Sequence, residues 1–162
     1  MKNKVLVTHG TRPFAQRVAK FLPDKYTPLF ASADEMPSVL ISGGSFVQIP
    51  PAQAPSFLHQ VLKTCLDHGV SDVIPLGAGE LYPMAQALPL FLEYGIDVWV
   101  PHTEVLTALP LIENPPRQLP LQLLHKGKKL NGEPTVDAGE DLSGVFILSD
   151  DGEGWALCCV AD

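Results

Sequence analysis

Basic residues are scarce in this chain. Eleven Lys and Arg stand against eighteen Asp and Glu, for a formal net charge of −7. Binding a nucleic-acid backbone needs clustered cations, so a general nucleic-acid binder is disfavoured. The only basic cluster, Lys126, Lys128 and Lys129, reads as an exposed turn. Cysteine is almost absent too. Cys65, Cys158 and Cys159 are odd in number and irregular in spacing, so no disulfide framework is expected. Cys65 falls on an apolar helix face. Cys158 and Cys159, adjacent in a strand, point to opposite faces and make poor partners for one metal. No apolar run approaches the ~20 residues a bilayer demands. Lys4-Val5-Leu6-Val7-Thr8 is too short for the apolar core of a secretion signal, and the expected location is the cytoplasm.

The 162 residues are 46% hydrophobic, enough for one cored domain with or without a small appendage. The organising stretch is Lys4 to Pro13. An apolar, β-branched run passes through a small polar turn into a helical pattern, which is a strand delivering its carboxyl end to a helix N-terminus. Ala15, Val18, Ala19 and Leu22 repeat at helical spacing until Pro23 and Asp24. Tyr26 to Ala31 reads as a second strand. Asp34 after it can hold a ribose hydroxyl or cap a helix, and Glu35, Met36 and Pro37 favour the cap. Ser38 to Ile41 fits either a short helix or a buried strand, and Phe46 to Ile49 a third strand.

Phe57, Leu58, Val61, Leu62, Cys65 and Leu66 form one helical stripe, closed by Gly69. His59 and His68 lie on its wet face. Asp72 to Leu76 is a buried fourth strand. The next helix buries Leu81, Met84, Ala85, Leu88, Phe91 and Leu92, tolerates Pro83 in its first turn and kinks at Pro89. Asp97 to Pro101 is a fifth strand. Residues 1–106 therefore form an α/β fold, a doubly wound parallel five-stranded sheet in the order 3-2-1-4-5. Residues 107–162 read as a Pro-rich linker and a β-rich appendage packed on that sheet. Its last two apolar runs make a hairpin around Asp150, Asp151 and Glu153, which lack the calcium-loop pattern and read as a plain turn.

In that order the strands reverse direction of growth between the first and the fourth, and ligands bind outside the carboxyl ends there. The walls of the crevice are Thr8, His9, Gly10, Thr11 and Arg12 on one side and Gly77, Ala78, Gly79 and Glu80 on the other. The glycines let backbone approach a ligand, and both loops precede helices whose N–H groups point into the gap. Arg12 adds an anion contact and His9 a titratable ring; Glu80 is favoured at a helix start in any case. The three-glycine dinucleotide pattern is missing, with Tyr82 where its third glycine belongs, and there is no P-loop or nucleophile elbow. The five histidines are scattered without ligand spacing. No catalytic residue, cofactor or metal ligand is assigned.

Over residues 4 to about 106 the chain resembles the N-terminal domain that precedes the catalytic part of ATP-grasp ligases, such as the carbamoyl-phosphate synthetase large chain. The likeness rests on Lys4-Val5-Leu6-Val7-Thr8 with Gly10, on Phe46 to Pro51, on the Phe57–Leu66 helix with Gly69, on Ser71 to Leu81 and on Gly95 to Pro101. It implies a domain that lends one wall to a substrate site, while ATP, metal and chemistry belong to a following region of domain size. Only about fifty residues follow here, and none reads as that region. The resemblance thus implies a domain without autonomous catalysis that binds a small anionic metabolite or a separately encoded ATP-grasp partner. The Val5–Thr8 strand and its helix are also similar to half of a uroporphyrinogen III synthase, and a homodimer built through the appendage is a further alternative.

Overall fold

The computed structural model describes residues 3–130, 142–148 and 154–161. Its centre is a parallel sheet of β1 (Asn3–Val7), β2 (Tyr26–Ser32), β3 (Phe46–Gln48), β4 (Val70–Ile74) and β5 (Asp97–Val98), in the order β3-β2-β1-β4-β5. β1 lies between β2, where Leu6 pairs with Leu29, and β4, where Leu6 pairs with Val73. The alternation of side chains along β1 divides the core. Leu6 joins Leu29, Ala31 and Val73 on one face, while Val5 and Val7 join Phe30 and Ile74 on the other. The strand order and the α/β class follow the reading above.

Helices fill the crossovers. α1 (Pro13–Ala19) covers the Val5/Val7 face with Phe14, Ala15 and Val18. α3 (Phe57–His68) covers the Leu6 face with Phe57, Val61, Leu62 and Cys65, and stops where Gly69 turns left-handed at φ 67°. α2 (Ser38–Ser42) is a short helix with no buried residue, which settles the ambiguity of that segment.

The helical pattern after β4 is broken in two at Ala87, into α4 (Ala78–Gln86) and α5 (Leu88–Glu93). Pro89 sits in the first turn of α5, where its missing N–H has no partner to lose. Pro83 lies in the second turn of α4 rather than the first. Two expected core residues are exposed. Leu66 (50%) and Leu92 (66%) fall at the edges of their stripes, past the reach of the sheet.

The C-terminal part is more ordered than a linker with a hairpin. α6 (Thr103–Ala108) is followed by β6 (Leu111–Glu113), β7 (Gln122–His125), β8 (Lys128–Lys129), β9 (Gly144–Leu148) and β10 (Trp155–Cys159). These strands form a mixed sheet in the order β6-β10-β9-β7-β8. The expected hairpin is the antiparallel β9–β10 pair, and its turn residues Asp150, Asp151 and Glu153 lie outside the described residues. The basic cluster surrounds the β7–β8 turn, where Lys126 (φ 53°) and Gly127 (φ 80°) give the left-handed pair a tight hairpin uses.

Both faces of this second sheet are buried. Phe146, Leu157 and Cys159 enter the α3/α4 core, and Val145, Ile147 and Cys158 the α1 core. Cys158 and Cys159 therefore do point opposite ways. Arg17 of α1 ties the connection down by donating to the carbonyls of Pro115, Pro116, Arg117 and Leu119. Among the described residues no helix is long and apolar enough to cross a membrane.

Burial pushes the Cys65 and Cys158 thiols from an ordinary value near 9 up to about 12, with the neighbouring Cys159 adding to the effect at Cys158. A raised pKa in the folded state stabilises the protein fully below pH 9 and loses that contribution as the pH climbs toward 12. The unfolding free energy from urea titrations is therefore expected to hold steady from pH 7 to 8.5 and to fall above pH 9, by on the order of a few kcal/mol per thiol as the pH approaches 12. Cys65→Ala is expected to flatten the slope; an unchanged alkaline slope would contradict this account.

Candidate functional site

The β1–α1 and β4–α4 loops meet at the carboxyl ends of their strands, and a buried carboxyl group joins them. Thr8 (1% exposed) donates through Oγ1 to Glu80 Oε1 at 2.5 Å, and Glu80 (3% exposed) also takes the Gly77 N–H at 2.9 Å. The Thr8 hydroxyl in turn accepts the Leu76 N–H at 2.7 Å. Glu80 is the third residue of α4, so its side chain reaches back over the first turn as in a capping box. His9 sits above this group, its Nε2 3.9 Å from Glu80 Oε1, with a fifth of its side chain exposed. Its backbone is left-handed, at φ 52°.

The structure thus brings Thr8, His9, Gly77 and Glu80 together, as the strand order requires. It also revises the chemistry expected of them. The N–H groups thought to point into the gap are largely taken. Gly10 donates to Ala31, Arg12 to the His9 carbonyl, Gly77 to Glu80 and Ala78 to the Val160 carbonyl from the C-terminal sheet. Two of the glycines, Gly10 and Gly77, are required by close packing. A Cβ on Gly10 would stand 2.5 Å from Phe30 Cβ on β2, and one on Gly77 would stand 2.2 Å from His9 Nε2. Glu80 fills the bottom of the crevice with its own carboxyl group.

The remaining residues form an exposed rim. Thr11 donates to Asp34 Oδ2 at 2.9 Å, and Arg12 Nε lies 3.7 Å from the same oxygen, both side chains of that pair being about half exposed. Gly79 is exposed at the second position of α4. Asp34 caps no helix, because the residue before α2 is Pro37 and makes no side-chain cap. It faces the β1–α1 loop across the gap from β2, anchored by Ser32 Oγ accepting its N–H at 3.1 Å. What the rim offers chemically is a guanidinium, an imidazole and hydroxyl donors held beside one carboxylate.

Away from that crevice, against the middle of β4, the structure gathers a cluster that no local spacing announces. Asp72 of β4, Asp97 of β5 and His125 of β7 approach one another beside Trp99. The three come from strands of two different sheets, and only the fold makes them neighbours.

No protein-family model matches the chain, and no curated protein is significantly similar to it.

Removing the Glu80 carboxyl group strands a buried hydroxyl and a buried N–H, each worth roughly 1–3 kcal/mol. Glu80→Ala is expected to lower stability by about 3 kcal/mol in urea unfolding. Because Thr8 acts through the same group, Thr8→Val added to Glu80→Ala should cost less than the sum of the two single changes. Strict additivity would show that the two side chains are not coupled.

Proposed function

We propose that this chain is a cytoplasmic binding domain of the pre-ATP-grasp kind, without catalysis of its own, that holds a small anionic metabolite at the carboxyl edge of its parallel sheet. The observation that carries the reading is Arg12. Its half-exposed guanidinium stands on the β1–α1 loop, where the strand order reverses, paired among the described residues with the exposed Asp34. Ligands of open α/β sheets gather at that point. Since the crevice floor is occupied by Glu80, the ligand sits on the rim, and its acidic group is met by side chains rather than by helix N–H groups.

Calorimetric titration with nucleotides, amino acids and small carboxylates tests this. At least one anionic compound should bind, and Arg12→Ala should weaken it tenfold or more, the value of one lost charge-assisted contact. Silence across the panel, or binding indifferent to Arg12, would remove the rim from consideration.

A second reading rests on α2. Val39 (71% exposed), Leu40 (37%) and Ile41 (40%) present an aliphatic surface on a helix that buries nothing of its own. Such a patch suits a protein partner, and a separately encoded ATP-grasp protein is the partner the resemblance implies. Sedimentation of the chain mixed with such a protein should give a complex that Val39→Glu dissolves. Sedimentation of the chain alone distinguishes a homodimer.

A further inference from the structure

We propose that Asp72, Asp97 and His125 form a binding site for a divalent first-row transition cation, where the paired β4 and β5 meet β7, independent of the rim described above. Each offers one ligand atom, and the three atoms lie within 4.8 Å of one another. Ligands about 2.1 Å from a common tetrahedral metal stand roughly 3.4 Å apart. The cluster reaches that shell if its widest pair, at most 4.8 Å apart, closes by up to about 1.4 Å while His125 Nε2 and Asp97 Oδ2, now 2.5 Å apart, separate by about 0.9 Å.

Charge is the second, independent reason. Asp72 is 7% exposed, and among the described residues no cationic side chain comes within ion-pair distance of it. Asp97 has His125 alone. A buried charge without a counter-charge is unfavourable. Two carboxylates carry the charge that one divalent ion cancels. Lys126 lines the neighbouring cavity but makes no ion pair with either carboxylate. The local field is already felt by Tyr26, whose phenol is pushed above its usual range by burial first and then by Asp72 and Asp97.

The surroundings orient the ligands as they do around metals. Trp99 Nε1 donates to Asp72 Oδ1 at 3.0 Å and Ser71 Oγ to Asp72 Oδ2 at 2.6 Å, leaving each oxygen a further lone pair. The Trp99 ring stacks on the His125 imidazole, 4.7 Å between centroids and 19° between planes, and fixes its tilt. Asp97 also opens onto a cavity of about 280 Å³ that Ser143 and His102 help line, with room for the water that would complete an open coordination shell. One imidazole nitrogen with two carboxylate oxygens suits zinc, manganese or cobalt better than the all-oxygen preference of magnesium or calcium.

Calorimetric titration of the metal-stripped full chain with zinc chloride at pH 7.5 tests the site. One zinc per chain is expected. Asp97→Asn and His125→Gln should each weaken uptake at least tenfold, while His59→Gln, on the exposed face of α3, should leave it unchanged. No uptake, or uptake indifferent to both substitutions, overturns the proposal. Asp97 and His125 also link the two sheets, so a second measurement avoids changing them. Trp99 and Trp155 are the only tryptophans, and in Trp155→Phe the remaining fluorescence reports on Trp99. Cobalt chloride bound between Asp72 and His125 must quench it, saturating at one equivalent. Emission untouched by cobalt overturns the proposal even if the ligand variants fail to fold.

Discussion

Three residues, Leu76 to Ala78, carry the junction on which the rest of the molecule depends. The Leu76 N–H goes to the Thr8 hydroxyl and its carbonyl to the Val160 N–H; the Gly77 N–H goes to Glu80, and the Ala78 N–H to the Val160 carbonyl. Buried backbone groups must find partners. Here one short segment finds them just past the first strand, in its own helix and just past the last strand of the second sheet. The isolated Gly77–Val160 bridge is the backbone link between the second sheet and the start of α4.

That junction explains why the crevice is not the open anion site its glycines suggest. Anion binding at a helix start needs unpaired N–H groups. α4 begins with two of them already satisfied, one by a side chain of its own first turn and one by the Val160 carbonyl just past β10. The polar groups at the rim are carried by side chains: His9 near Glu80, and Thr11 and Arg12 on Asp34. An acceptor of small anions at this place would thus be tuned by a few exchangeable surface residues, while Thr8, Gly10, Gly77 and Glu80 are held by packing.

The parallel sheet was legible because its strands are short apolar runs bounded by turn residues, and because βαβ crossovers leave little choice of order. The closing of α3 at Gly69 was equally plain. What escaped was whatever depends on distant partners. Leu66 and Leu92 match helical spacing but outlast the surface they were to cover. β6 lies in a proline-punctuated stretch and is a strand only because β10 runs beside it. Glu80 looked like a helix-start charge and is that, yet its burial follows from β1 supplying Thr8. His125 carries no ligand spacing at all, since its neighbours lie in β4 and β5.

The Val160 contact has a consequence for the order of assembly. β1 and β4 already pair across α1, β2, β3 and α3, a non-local contact of the kind that forms slowly. The start of α4 takes its carbonyl partner from Val160, much farther along the chain. Until β10 docks, the Ala78 amide and the Leu76 carbonyl face water or nothing. The parallel sheet and the mixed sheet are therefore bound to one cooperative transition, in which the last strand to arrive finishes the first core.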